Sequence, residues 1–196
     1  MLRAIDGYSG QPLAQLALQL TAHVFVGPGE LRRAEWHEFD LDKAIWTIPA
    51  EKMKMCDPPV VPLSKQSLAL LESSKAISAG QRYVFSSLYP GKRPMSENTI
   101  NAALRRLGYS GKEMTAHDFR AMASTLLNES GKRSPDAIER ALAHKNSNAV
   151  RGTYNRGAHW LERVEMAQWW SDYHDVLREV GEVLSFPTGN LADSTS

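Results

Sequence analysis

The sequence predicts a mostly α fold with one small antiparallel β-sheet. Three observations predict it. Apolar residues recur at helical spacing over most of the chain, only two short stretches after the second helix are rich in strand-forming residues, and start and stop signals punctuate the helices. At 196 residues and 42% hydrophobic composition, the chain is long enough for one sizeable core. The expected organisation is one domain over residues 1–184 and a flexible C-terminal tail over 185–196.

The elements follow in order. From Gln11 to Phe25, apolar Leu13, Leu16, Ala17, Leu20 and Val24 form one buried helical stripe. Gly27-Pro28-Gly29 breaks it, and Glu30 to Ala34 restarts as a short helix with proline near its first turn. Phe39-Asp40-Leu41-Asp42 reads as a turn. Ile45, Trp46 and Ile48 form one strand, Val60 to Leu63 a second, and Glu51 to Asp57 the loop or strand edge between them.

Ser64 to Ala79 reads as a helix followed by Gly80, and Tyr83-Val84-Phe85 as a short extended link. A helix over Ser96 to Leu107 is closed by Gly108, with Arg105 and Arg106 in its last turn, where the helix dipole favours cations. Thr115 and Asp118 suggest a capping box opening a helix that ends at Ser130 and Gly131. Ser134-Pro135-Asp136 starts another, running to about His144, and a short one is expected over Ala149 to Tyr154. A long last helix, about His159 to Val180, carries Leu161, Val164, Ala167, Trp170 and Leu177. It either packs on its own core or docks on a neighbouring protomer.

Bulk charge is uninformative: 23 Lys and Arg against 22 Asp and Glu give +1. Its distribution says more. Between Arg82 and Lys112 stand Arg82, Lys92, Arg93, Arg105, Arg106 and Lys112 against the single acid Glu97, whereas residues 162–182 hold six acids against Arg163 and Arg178. A basic stretch on a neutral body can follow a phosphate backbone. The single cysteine, Cys56, excludes an internal disulfide and fits a reducing cytoplasm. No apolar run approaches the roughly 20 residues that span a bilayer, so no membrane association is expected. The six histidines lack the close spacing of a metal site on one helix, and there is no HExxH, CxxC pair or Gly-rich phosphate loop, so neither metal nor other cofactor is expected.

The chemistry concentrates between Thr115 and Tyr154, in the phenol of Tyr154, the imidazoles of His117 and His144 and the guanidinium of Arg120. His117 and Arg120 stand three apart on a helix and share a face. A guanidinium fork matches the non-bridging oxygens of a phosphate, and an imidazole can move a proton near neutral pH.

Taken as an ordered set, Pro28-Gly-Glu-Leu-Arg32, Lys54 ahead of Val60-Val-Pro-Leu63, His117-x-x-Arg120, Leu142-Ala-His144 and Tyr154 resemble the catalytic domain of the tyrosine recombinases, most closely the integrases of prophages and genomic islands. The resemblance covers nearly the whole chain from about Gln11 to the last helix. It implies the tyrosine-recombinase catalytic fold and a site-specific integrase that cleaves and rejoins DNA through a 3′-phosphotyrosyl link. It assigns Tyr154 as nucleophile, Arg120 to the non-bridging oxygens, Lys54 to protonation of the departing 5′ oxygen, His117 to proton transfer and His144 to a hydrogen bond with the phosphate. Lys52 is the alternative to Lys54. The implied partners are double-stranded DNA attachment sites and further copies of the chain, as a tetramer on DNA, in a bacterial cytoplasm at the nucleoid.

The departure from the family pattern is at position 27, where the first catalytic arginine falls and this chain has Gly27. Losing one preorganised donor to a developing oxyanion costs about 10²–10³ in rate. Arg32 and Arg33 lie too far round a helix beginning there to substitute readily. Slow cleavage is therefore expected, the alternative being a cleavage-dead remnant that binds DNA or joins an assembly. The opening Met1-Leu-Arg-Ala-Ile-Asp-Gly-Tyr8 reads like the middle of a protein, and the core-binding and arm-binding domains usual in the family have no room before Gln11.

Overall fold

A computed structural model describes residues 1–52, 60–87, 93–142 and 159–180. The expected helix at 149–154, most of the loop at 51–57 and the tail at 185–196 lie outside these residues.

A central helix, α2 (Pro12–His23), organises the larger core. Ala17, Leu18 and Leu20 are fully buried on it, and it packs against α1 (Leu2–Asp6), α4 (Lys65–Ser78) and α5 (Thr99–Arg106). The short helix α3 (Pro28–Arg32) follows, with Pro28 in the first turn, where its missing N–H costs nothing. A 3-10 turn over Trp36–Glu38 leads into a three-stranded antiparallel sheet ordered β1 (Phe39–Asp40), β2 (Ile45–Thr47), β3 (Val60–Pro62).

Phe39 pairs with Trp46, and Trp46 with Val61. Pro62 is tolerated because β3 is an edge strand. Trp46 is fully buried, stacks on Phe39 at 5.0 Å and donates its indole N–H to Glu38 Oε2 at 2.9 Å. The Phe39-Asp40 segment is thus a strand rather than the expected turn; the turn itself is tighter and closes at Ala44, whose φ is 56°.

The remaining helices begin and end where their capping chemistry dictates. Ser64 caps α4 by accepting from the Ser67 N–H, and Ser134 caps α7 (Pro135–Ala141) by accepting from that of Ala137. Helix α6 (Asp118–Ser130) ends at Gly131, whose φ of 61° is the left-handed conformation glycine adopts without strain. A second apolar cluster joins Phe25 to α6, α7 and α8 (Trp160–Val180) through Leu127, Ile138, Met166 and Trp170. Trp170 is 3% exposed and donates to the Ala22 carbonyl at 2.8 Å, so α8 packs its inner face on its own chain.

Candidate phosphate site

The N-terminal turn of α6 carries the two described candidates, and three contacts fix where it starts. Asp118 Oδ2 accepts from the Thr115 N–H at 2.7 Å and from the Thr115 hydroxyl at 2.8 Å, so Asp118 reaches back as expected, but the full capping box does not form: the N-cap is His117, which makes no side-chain capping bond. The Ala116 N–H donates to Asn101 Oδ1 at 2.9 Å, tying the turn to α5. Phe119, 4% exposed, anchors the opposite face in the core.

His117 is exposed and Arg120 half-buried on the free face. Among the described residues, the Arg120 guanidinium has no hydrogen-bond partner. Partial burial lowers its pKa from the usual arginine value, while the nearby carboxylates of Glu30 and Glu139 act in the opposite direction. A guanidinium stays protonated under all ordinary conditions. The result is a partly desolvated cation, with donors unfilled among the described residues, in the same turn as an exposed imidazole, which suits an oxyanion.

Gly27 is buried at the start of α3, with extended backbone (φ −71°, ψ 154°). The Glu30 side chain folds back over it, placing Oε2 only 2.2 Å from where a Cβ at position 27 would stand. Arg32 Nη1 donates to the Met95 carbonyl at 3.1 Å. Arg33 Nε donates to that of Gly29 at 2.9 Å and its Nη2 to that of Lys52 at 3.3 Å. Both guanidiniums are thereby fixed to backbone carbonyls.

Lys52 sits in a different environment. Its Nζ donates to the Arg33 carbonyl at 2.9 Å, to Glu35 Oε1 at 2.8 Å and to Glu38 Oε1. An ammonium has three protons, and these contacts use all of them. Arg82 closes the cluster with Nε to Glu35 Oε2 at 2.6 Å and Nη2 to Glu35 Oε1 at 3.0 Å. The hydrogen bond from Arg82, reinforced by Lys52, overcomes burial and holds the Glu35 pKa down to about 2.

The basic stretch divides in the same way. Arg105 Nη1 donates to the Tyr109 carbonyl at 2.7 Å and its Nη2 to that of Met114, fastening the end of α5 to the approach of α6. Arg106 Nη1 donates to the Tyr8 hydroxyl at 2.9 Å. Arg93 and Lys112 are exposed, and among the described residues their side chains carry no hydrogen bond. Lys54, Lys92, His144 and Tyr154 lie outside the described residues, so of the expected set only His117 and Arg120 are placed together. Sequence reading assigned no role to Glu30, Glu35 or Glu38; the Glu35/Glu38 spacing around Trp36 was the available signal for the ion cluster.

The profile of the phage integrase family matches residues 13–159. The chain belongs to this family. It is 42% identical over 193 residues to the putative protein IntB of Escherichia coli K12, covering 91% of this chain and 49% of that relative. It is 42% identical over 191 residues to the integrase of enterobacteria phage P4, covering 90% of this chain and 44% of the other. The chain thus spans about half the length of the curated relatives it matches.

Solved structures share the fold of this integrase-family chain. The integrase from mycobacterium phage Brujita matches with a TM-score of 0.63 at 16% identity, over 85% of this chain and 54% of that one. XerA recombinase matches at 0.59 and 20% identity, over 92% and 60%. A lambda integrase(75–356) dimer bound to a COC′ core site matches at 0.57 and 19% identity, over 100% and 60%. The mostly helical fold with a minor antiparallel sheet is that of these recombinases. Among the described residues, no group of His, Cys, Asp and Glu is arranged to hold a metal, and no helix is long and apolar enough to cross a membrane.

Proposed function

We propose that this chain is the catalytic domain of a site-specific DNA integrase, acting on double-stranded attachment sites as one copy of a tetramer in the bacterial cytoplasm, at the nucleoid. The observation that carries this reading is Arg120: a half-buried guanidinium without a hydrogen-bond partner among the described residues, on the first turn of α6, one turn from exposed His117.

In this reading, the phenol oxygen of Tyr154 attacks the scissile phosphorus and the 5′ oxygen departs, leaving a 3′-phosphotyrosyl link. The exchange of one phosphodiester for another conserves bond energy, so neither nucleotide hydrolysis nor a metal is needed. A free phenol has a pKa of about 10 and is ionised in only roughly one molecule per thousand at pH 7, so the site must supply positive charge. Arg120 holds the non-bridging oxygens, His117 assists proton transfer and His144 hydrogen-bonds the phosphate. Lys54 protonates the leaving oxygen; Lys52 is the poorer candidate because its three protons are held by Arg33, Glu35 and Glu38. Arg93 and Lys112 supply free cations to the DNA backbone, joined by Lys92. Arg82, Arg105 and Arg106 contribute only through donors left over from their internal bonds.

Gly27 makes cleavage slow, because Arg32 and Arg33 are fixed elsewhere and cannot serve in place of the missing arginine. The same observation favours a second reading, a module that holds DNA without cutting it. Covalent capture on a nicked suicide duplex separates the two. A weak adduct that disappears in Tyr154→Phe and grows in Gly27→Arg supports the enzyme. An adduct appearing only after Gly27→Arg supports the binding module. Absence of a phenol-dependent adduct even in Gly27→Arg contradicts the enzymatic reading.

A further inference from the structure

We propose that Gly27 turns Glu30 into a built-in competitor of the phosphate: with no side chain at position 27, the Glu30 carboxylate lies back over the chain and opposes anion binding at Arg120. The inference rests on the reading of Arg120 as the phosphate clamp, and concerns what this chain does to that clamp.

Glu30 lies on the first turn of α3, three residues after Gly27. Its Oε2 lies 2.2 Å, and its Cδ 3.3 Å, from the ideal Cβ position of residue 27. Any larger residue at 27 excludes the carboxylate from that place, so the observed pose is available only to glycine. The obstructing atom is the far end of a flexible side chain, so a residue such as arginine can displace it without moving the backbone.

Among the described residues, Glu30 has neither a hydrogen-bond partner nor a cation within ion-pair distance. Arg120 is equally without a bonded partner, and Glu30 is the first of the two carboxylates that act on it through space. An anion near a guanidinium, but not bonded to it, lowers the local potential while leaving the guanidinium's donors empty. A phosphate approaching those donors meets the same negative charge. Where residue 27 is arginine, its guanidinium would offset that charge; where it is glycine, nothing at that position does. The substitution thus removes one attraction and uncovers one repulsion.

The test uses the full 196-residue chain and a short duplex DNA of arbitrary sequence, with affinity measured by fluorescence anisotropy from low to moderate salt. Glu30→Gln keeps the shape of the side chain and removes its charge. It is expected to tighten binding about three- to tenfold at low salt, with the gain shrinking as salt screens it. The gain should disappear in the Arg120→Ala background, and Glu30→Gln in the Gly27→Arg background should give no tightening. A structural defect would weaken binding, so tightening is a readout that loss of folding cannot mimic. Glu30→Ala, checked by thermal unfolding, guards against an effect peculiar to glutamine.

Unchanged or weaker binding in both folded Glu30 variants, with Arg120→Ala still weakening it, overturns the role of Glu30 and leaves the clamp standing. If Arg120→Ala leaves affinity unchanged, both the clamp and the inference fail. Equal tightening with Arg120 present or absent also overturns the inference, because the carboxylate would then act on the DNA generally.

Discussion

Two charged regions of the molecule are built on opposite plans. In the cluster of Glu35, Glu38, Lys52 and Arg82, the carboxylates are buried and every ammonium proton of Lys52 is taken. At the start of α6, Arg120 is half-buried, and its donors meet no acceptor among the described residues. Burying a charge is costly unless it is paired, so the first plan holds the fold together. The second carries part of the same cost and leaves the charge open for a ligand.

Cutting the closed cluster should have the largest effect. Lys52→Met leaves Glu35 and Glu38, 3% and 1% exposed at their side chains, without their shared cation. Loss of a buried partner costs about 3–5 kcal/mol, so urea unfolding should shift strongly toward lower denaturant. A shift no larger than that of a surface substitution would show that the cluster is not structural.

Acid should act next most strongly, through a different buried pair. His23 and His174 stand with ring centroids 5.2 Å apart, and His174 lies 4.5 Å from Trp170, at the joint between α2 and α8. Burial is the main reason that the His23 pKa falls to about 4 and that of His174 to about 3; Arg178 lowers both, while Asp175 and Asp6 oppose the fall at His23. Below pH 6.5 the unfolded chain takes up protons that the folded chain refuses, so stability falls with pH until the folded values are passed. Glu35 adds to the loss between about pH 4.5 and 2, since its folded pKa is depressed. Thermal unfolding followed from pH 7 to pH 4 should show a steep decline that His174→Leu flattens. Equal slopes in the two proteins would remove His174 from the explanation.

The smallest effects belong to single exposed cations. Arg93→Ala and Lys112→Ala should each reduce the salt dependence of duplex binding by about one unit of slope, with unfolding unchanged. Arg105→Ala should instead lower stability, because its guanidinium bridges the Tyr109 and Met114 carbonyls. If stability is unaffected by Arg105→Ala, the division of this stretch into structural and free cations fails.

What was legible in the sequence follows from how local each feature is. Helices α2, α4, α6 and α8 were readable because apolar period and end signals lie within each segment; the reach of Asp118 back to the Thr115 N–H is likewise a matter of neighbouring residues. Helix α1 has only five residues, too few to display a period. Strand β1 has two, and exists by virtue of pairing with Ile45 and Trp46. Counting charges found the basic stretch but could not tell that Arg106 is bonded to Tyr8, 98 positions away. The absence of a side chain at 27 was plain to read, whereas the carboxylate lying in its place depends on how Glu30 folds back.

The proposed function makes Arg120 the clamp of a phosphate attacked by Tyr154. Its most direct test is the rate of phosphotyrosyl formation on a nicked duplex by Gly27→Arg, with and without Arg120→Ala, alongside thermal unfolding of both proteins. Removing Arg120 should lower the rate by about 10²–10³, with little change in unfolding midpoint. Equal rates in two folded proteins would contradict it.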